Sequence, residues 1–320
     1  MQNIRFGRTA LKVSELCFGT MTFGAETDEA ESGKLYAACR DAGINFFDCA
    51  DVYAGGDSER ILGRLIAHER DDVIITTKCG FGQFKGAGRA VIRRSCEESL
   101  KRLNIDRIDI YYIHQWDAAA PIEETMRALE DLRASGKVAH LAVSNFAAWQ
   151  IAKANGISAR EGWATFEVMQ PMYNLLKRQA EVELLPLAQA ENIAVMPYGP
   201  AAGGLLSGKY ASGGTGRFST RNDYQRRYGD DYFHDAAARF TALAADKGIH
   251  PMTLAVAWSA AHPAITTPII GARSMEQLPA QLAAADLDMT AELRAEITAL
   301  SLTPPPATDR LDDVTTTKNA

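Results

Sequence analysis

Three apolar runs, INFFDCADVY (44–53), DVIITTKCG (72–80) and IDIYYIHQW (108–116), carry polar residues at or just past their ends: Asp48 and Tyr53, Lys78, and His114. Mostly apolar runs of this length, bounded by turns, read as strands of a parallel sheet buried on both faces. An acid, a phenol, an amine and an imidazole brought together make a proton-donating site for a carbonyl oxygen. A lysine ammonium beside Tyr53 would draw the phenol pKa down from about 10, because a nearby positive charge favours phenolate. Asp48 would hold the lysine. His114 would orient the carbonyl or share the proton transfer, with geometry deciding which.

Outward from these runs, strand and helix patterns alternate. Strands are expected at 15–19, 45–48, 73–78, 109–114, 138–144, 165–170, 193–198 and 264–270, with helical patterns between them. Eight such units imply an α/β fold, a (β/α)8 barrel with an eight-stranded parallel sheet, formed by residues 1–320 as a single domain. In this fold the site lies at the carboxyl ends of the strands, where Asp48, Lys78 and His114 fall. The alternating segment IRFGRTALKV (4–13), with Gly7-Arg8 between its arms, reads as a hairpin covering the barrel bottom. Two segments break the alternation, 212–232 and 289–301. The first is expected as a long loop, either a solvated mixed-charge surface or a flap over a cofactor phosphate. The polar, proline-containing tail 303–320 is expected to be mobile unless it folds across the barrel mouth.

Composition limits the function classes. The 320 residues are 47% hydrophobic and 23% charged, enough for one large core, and no run nears the ~18 apolar residues of a membrane helix. A net charge of -6 argues against nucleic acid or an anionic membrane as partner. The first residues lack a secretory pattern, so a cytoplasmic location is expected. Cys17, Cys39, Cys49, Cys79 and Cys96 are odd in number and form no C-x-x-C pair, which suggests neither disulfides nor a metal site. They read as core residues, although Cys49 and Cys79 flank site candidates and leave oxidation sensitivity open.

The strings FFDCADVY (46–53), TTKCG (76–80), IHQWD (113–117), VSNF (143–146), MQPMYN (169–174), PYGPAAGGLLSGKY (197–210) and IIGARSMEQL (269–278), in this order, resemble the aldo-keto reductase family. The resemblance implies a catalytic tetrad of Asp48, Tyr53, Lys78 and His114. It implies an NADPH-dependent reduction of a small-molecule aldehyde or ketone, with no metal. Ser144, Asn145 and Gln170 then correspond to groups that bind a nicotinamide carboxamide, and Tyr198 to the ring that stacks on the nicotinamide. The family's usual Thr and Ser are Cys49 and Gly199 here, and its adenine-side Glu-Asn pair is Ala280 and Gln281.

No G-x-G-x-x-G follows an early strand, so a Rossmann domain is not expected. The phosphate site is expected instead after the eighth strand. There Ser274 and Gln277 have capping-box spacing, helix amides point at anions, and Arg273 adds positive charge resembling the family's 2′-phosphate contact. If Gln277 caps its own helix it is less free to touch adenine. Trp116, Phe23 and the 212–232 segment suggest a partly aromatic substrate pocket. Two other functions share these residues: a regulatory NADPH-binding subunit of the channel-β kind, and a Schiff-base aldolase using Lys78.

Overall fold

Eight short parallel strands curl into a barrel in the computed structural model, which describes residues 1–210 and 213–308. An antiparallel hairpin, β1 (Asn3–Arg5) with β2 (Lys12–Ser14), precedes them. The barrel strands are β3 (Cys17–Gly19), β4 (Phe46–Asp48), β5 (Ile74–Cys79), β6 (Ile108–Ile113), β7 (Val138–Ser144), β8 (Phe166–Gln170), β9 (Ala194–Val195) and β10 (Ile269–Ile270). They pair in chain order from β3 to β9, with β10 beside β3. The ring closes through backbone bonds from Thr266 and Thr267 to the Val195 carbonyl and from Ile269 to the Pro197 carbonyl, at 2.9 to 3.2 Å.

The eight expected strands are all present, but the last two are much shorter than 193–198 and 264–270 imply. Pro197 and Pro268 have no N–H to donate, so regular pairing stops beside each.

Period two sorts the side chains. Phe46, Ile110, Tyr112, Ala142, Val168, Ala194, Met196 and Ile269 point inward and pack with Phe6 and Val13 of the hairpin region. Their neighbours Phe47, Ile75, Tyr111, Ile113, Val143 and Met169 point outward under the helices. Fully burying an apolar side chain of this size contributes about 1.5–3 kcal/mol. The hairpin covers one end of the barrel as expected. A Cβ at Gly7, where φ is +56°, would lie 2.8 Å from the Ala194 amide nitrogen, so that turn requires glycine to sit against β9.

Continuing each inward row past its last apolar residue gives the polar set at the other end. Phe46 is followed two residues on by Asp48, Tyr112 by His114, Ala142 by Ser144, Val168 by Gln170 and Met196 by Tyr198. Thr76 and Lys78 continue the inward row of β5.

The two extra segments are helical. The expected loop holds helices at Arg217–Thr220 and Asn222–Tyr228 and then enters the helix Asp231–Asp246. Buried Tyr228 accepts a hydrogen bond from Asn174 (3.1 Å), which anchors this excursion to the barrel. The other segment is a helix, Ala291–Thr298, capped by Thr290. The start of the first segment at Ser212, and the tail beyond Thr308, lie outside the described residues. Among the described residues no helix is long and apolar enough to cross a membrane.

Candidate active site

Asp48, Tyr53, Lys78 and His114 converge at the carboxyl ends of β4, β5 and β6. Lys78 is fully buried and donates to Asp48 Oδ2 (2.6 Å) and to the Cys49 carbonyl (2.7 Å). Asp48 Oδ1 also accepts from Thr76 (2.7 Å) and Gln170 (2.9 Å), so three donors fix the carboxylate. The ammonium lies 5.2 Å from the centre of the Tyr53 ring, and the Tyr53 and His114 rings are 6.2 Å apart, edge to face. Directly after Tyr53 the backbone turns left-handed at Ala54 (φ +49°), Gly55 and Gly56. A left-handed alanine is strained, and such strain is tolerated where neighbouring structure fixes the chain.

The electrostatics differ from the expectation for Tyr53. Burial raises its pKa more than Lys78 lowers it, and with the Asp48 charge adding to the rise the phenol is pushed up to about 12. Tyr53 is therefore protonated at neutral pH, ready to give a proton rather than poised as phenolate. Burial opposes the charge on Lys78, but Asp48 and then Tyr53 outweigh it and hold the pKa above the ordinary lysine value. An amine held charged in this way is a poor Schiff-base nucleophile. Burial, with help from the Lys78 charge, lowers His114 to about 3, so its imidazole is neutral. Its Nδ1 is buried without a hydrogen-bond partner among the described residues, as suits a polar atom kept for a ligand.

Behind the tetrad, Glu59 is buried and bridges Thr77 and Arg102, at 2.5 Å to each. Asp51 sits near it under Gly82, where an added Cβ would come 2.8 Å from Asp51 Oδ1. Burial, then the Glu59 charge, pushes the Asp51 carboxyl up to about 7.

The cofactor candidates fall into two groups. Ser144, Asn145, Gln170 and Tyr198 ring the barrel mouth. Ser144 donates to the Gln170 carbonyl (2.9 Å), Asn145 donates to the His114 carbonyl (2.9 Å), and the Tyr198 hydroxyl donates to Asn145 Oδ1 (2.9 Å). Asn145 takes a left-handed backbone (φ +57°) to make these contacts. The Gln170 amide is buried and turned toward Asp48, so it supports the tetrad as well.

Arg273 and Gln277 lie in the loop after β10. No capping box forms at Ser274: the helix begins at Leu278 and has only five residues, Leu278–Leu282. Gln277 instead accepts from the Arg273 amide (3.2 Å). Gln281 is buried and grips Gly271, accepting from its amide (3.0 Å) and donating to its carbonyl (2.8 Å), so its side-chain amide is engaged within its own loop. Arg273 is half-buried and makes no ion pair among the described residues. A half-buried guanidinium beside the mouth, an orphaned imidazole nitrogen and a ring of amide and hydroxyl groups suit a nicotinamide dinucleotide.

Phe23 belongs to the core, fully buried and 5.9 Å from the Phe18 ring, so it does not line a pocket. Two other aromatics do stand at the mouth, Phe81 at 51% exposure and Trp149 at 59%. Phe81 leans on His114 at 5.4 Å, and Trp149 packs at 5.7 Å against Trp116. Neither has a periodic signal in sequence, whereas the support from Thr76 follows from its place two residues before Lys78. All five cysteines are buried and unpaired. Burial raises the Cys49 thiol to about 12 and also raises Cys79, so neither presents a reactive thiolate.

The aldo/keto reductase family model matches residues 15–302. An uncharacterised oxidoreductase of Bacillus subtilis is 35% identical over 92% of this chain and 94% of its own length. A probable voltage-gated potassium channel subunit beta of Oryza sativa is 35% identical over 97% of this chain and 99% of its own. A norsolorinic acid reductase of Aspergillus flavus is 30% identical over 90% and 77%.

Proposed function

The chain belongs to the aldo/keto reductase family, and from that premise we propose that this oxidoreductase uses NADPH to reduce an aldehyde or ketone to the alcohol, with Tyr53 as proton donor. The observation that carries the reading is the buried Asp48–Lys78 pair under a phenol that is protonated at neutral pH.

When bound, NADPH would supply the hydride that the carbonyl carbon accepts. Tyr53 gives its proton to the oxygen as negative charge develops there, and the Lys78 ammonium stabilises the phenolate left behind. Asp48, fixed by Thr76 and Gln170, keeps Lys78 charged and in place. Neutral His114 orients the carbonyl through a ring nitrogen. Ser144 and Asn145 would bind the carboxamide of the nicotinamide and Tyr198 would stack on its ring, while Arg273 would take the 2′-phosphate. Phe81, Trp116 and Trp149 favour a substrate carrying an aromatic or bulky apolar group.

The test is Tyr53→Phe, expected to lose carbonyl reduction by at least ~10²-fold while still binding NADPH. Near-normal turnover would remove Tyr53 as the donor. The likeness to the rice channel subunit supports a second reading, a regulatory subunit that binds NADPH with little turnover. Tight NADPH binding with negligible reduction across a panel of aldehydes, ketones and sugars would favour it.

A further inference from the structure

The loop after β10 already holds an anion. Its amides are partly taken by side-chain oxygens: Gly271 by Gln281, Arg273 by Gln277, and Met275 by Glu31 (2.9 Å). Gln281 and Gln277 are neutral. Glu31 is a carboxylate from the first turn of the helix Glu29–Asp41, on the far side of the chain in sequence. The Met275 amide, and then Lys34 at 3.1 Å, hold its carboxyl below the usual range, so it is ionised at neutral pH. The same helix entry is tied to the loop a second time, through Thr27, whose hydroxyl donates to the Arg273 carbonyl (3.3 Å).

We propose that Glu31 sets cofactor discrimination by competing with the 2′-phosphate for the Met275 amide beside Arg273. The proposal rests on the reading that this loop receives the 2′-phosphate. A phosphate approaching Arg273 meets a carboxylate on a neighbouring donor. Binding NADPH therefore requires Glu31 to give up Met275 and turn to Lys34, whose ammonium is already in reach. NADH carries no phosphate there and leaves the contact in place. Arg273 favours NADPH and Glu31 opposes it, so the wild-type preference is smaller than Arg273 alone would give.

The experiment titrates NADPH and NADH by tryptophan quenching in the full-length wild type, Glu31→Gln, Glu31→Ala and Arg273→Ala. The reading is the ratio of the NADH Kd to the NADPH Kd. At a separation of about 4 Å in a watery setting, removing one like charge is worth about a 5-fold change. Glu31→Gln should raise the ratio by about that factor, less at high salt. Glu31→Ala, which frees the amide as well, should raise it further. If Arg273→Ala lowers the ratio but neither Glu31 variant raises it, the competition is refuted and the 2′-phosphate reading stands. If Arg273→Ala leaves the ratio unchanged, the loop does not read the 2′-phosphate and both fall.

Discussion

Replacing Asp48 by Asn tests whether the pair at the centre of the site is a buried, coupled unit. Lys78 has no exposure and its ammonium is paired with the Asp48 carboxylate, its other neighbours being the uncharged Cys49 carbonyl, Tyr53 and Tyr112, so Asp48→Asn leaves a charge in the barrel with only neutral dipoles and rings for company. Removing one partner of a buried ion pair costs about 3–5 kcal/mol. Because the Cys49 contact survives, the lower end applies, about 3 kcal/mol. For a chain of 320 residues that is a fall in Tm of about 4–5 °C. Lys78→Met strands the carboxylate in the same way, with Thr76 and Gln170 still donating to it, and should cost a similar amount. It should also abolish reduction, since the phenolate formed at Tyr53 loses its counter-charge. The double variant buries no net charge and should be less destabilised than the sum of the singles by at least about 2 kcal/mol. Urea denaturation of all four proteins at pH 7 gives the cycle. Repeating it at pH 10 adds a sign: without Asp48, burial lowers the folded pKa of Lys78 below its unfolded value near 10.4. The unfolded chain then binds more protons, and the Asp48→Asn deficit should shrink as pH rises. Additive losses, or a deficit below about 1 kcal/mol, would refute the argument.

Asp51 gives a second pH signature. Its folded pKa of about 7 lies above the unfolded value near 3.9, so it contributes stability in acid that is lost as pH rises through 7. The shift corresponds to at most about 4 kcal/mol at 1.36 kcal/mol per unit. Asp51→Asn cannot ionise, so its stability relative to wild type should climb by about 2–4 kcal/mol between pH 4 and pH 8; His114 titrates in both proteins and cancels, and parallel stability curves would count against a carboxyl kept protonated by burial. Trp149→Ala should raise KM for an aromatic aldehyde such as 2-naphthaldehyde about 2- to 12-fold relative to propanal, the range expected for one aromatic contact. Equal changes for both aldehydes would remove Trp149 from substrate recognition.

What could be read from sequence follows the strands. Asp48, Lys78 and His114 end apolar runs, and period two forces each onto the inner row, so their convergence needed no tertiary information beyond closure of the barrel. Position along the same runs carries further information about where pairing ends. Pro197 and Pro268 were visible where 193–198 and 264–270 were expected to pair throughout. In IIGARSMEQLPAQL (269–282) the proline at 279, favoured in a first helical turn, marks the start at Leu278 better than the S-x-x-Q spacing does. In 217–228 the mixed charge suggested loop, yet Tyr224 and Tyr228 fall four apart on one face, with Tyr224 against Gly203 and Tyr228 buried near Asn174.

Other features depend on distances that no local pattern encodes. Glu31 meets Met275 across 244 residues, and Trp149 meets Trp116 only because β6 and β7 are neighbours. The Tyr53 pKa turns on a competition between burial and one ammonium, and the residue types name both forces without saying which is larger. The same inward rows that pack the core below Asp48 and His114 remove water above them. Desolvation therefore raises Tyr53, lowers His114 and makes the Asp48 pairing with Lys78 necessary, so the barrel's packing sets the charge states on which its chemistry depends.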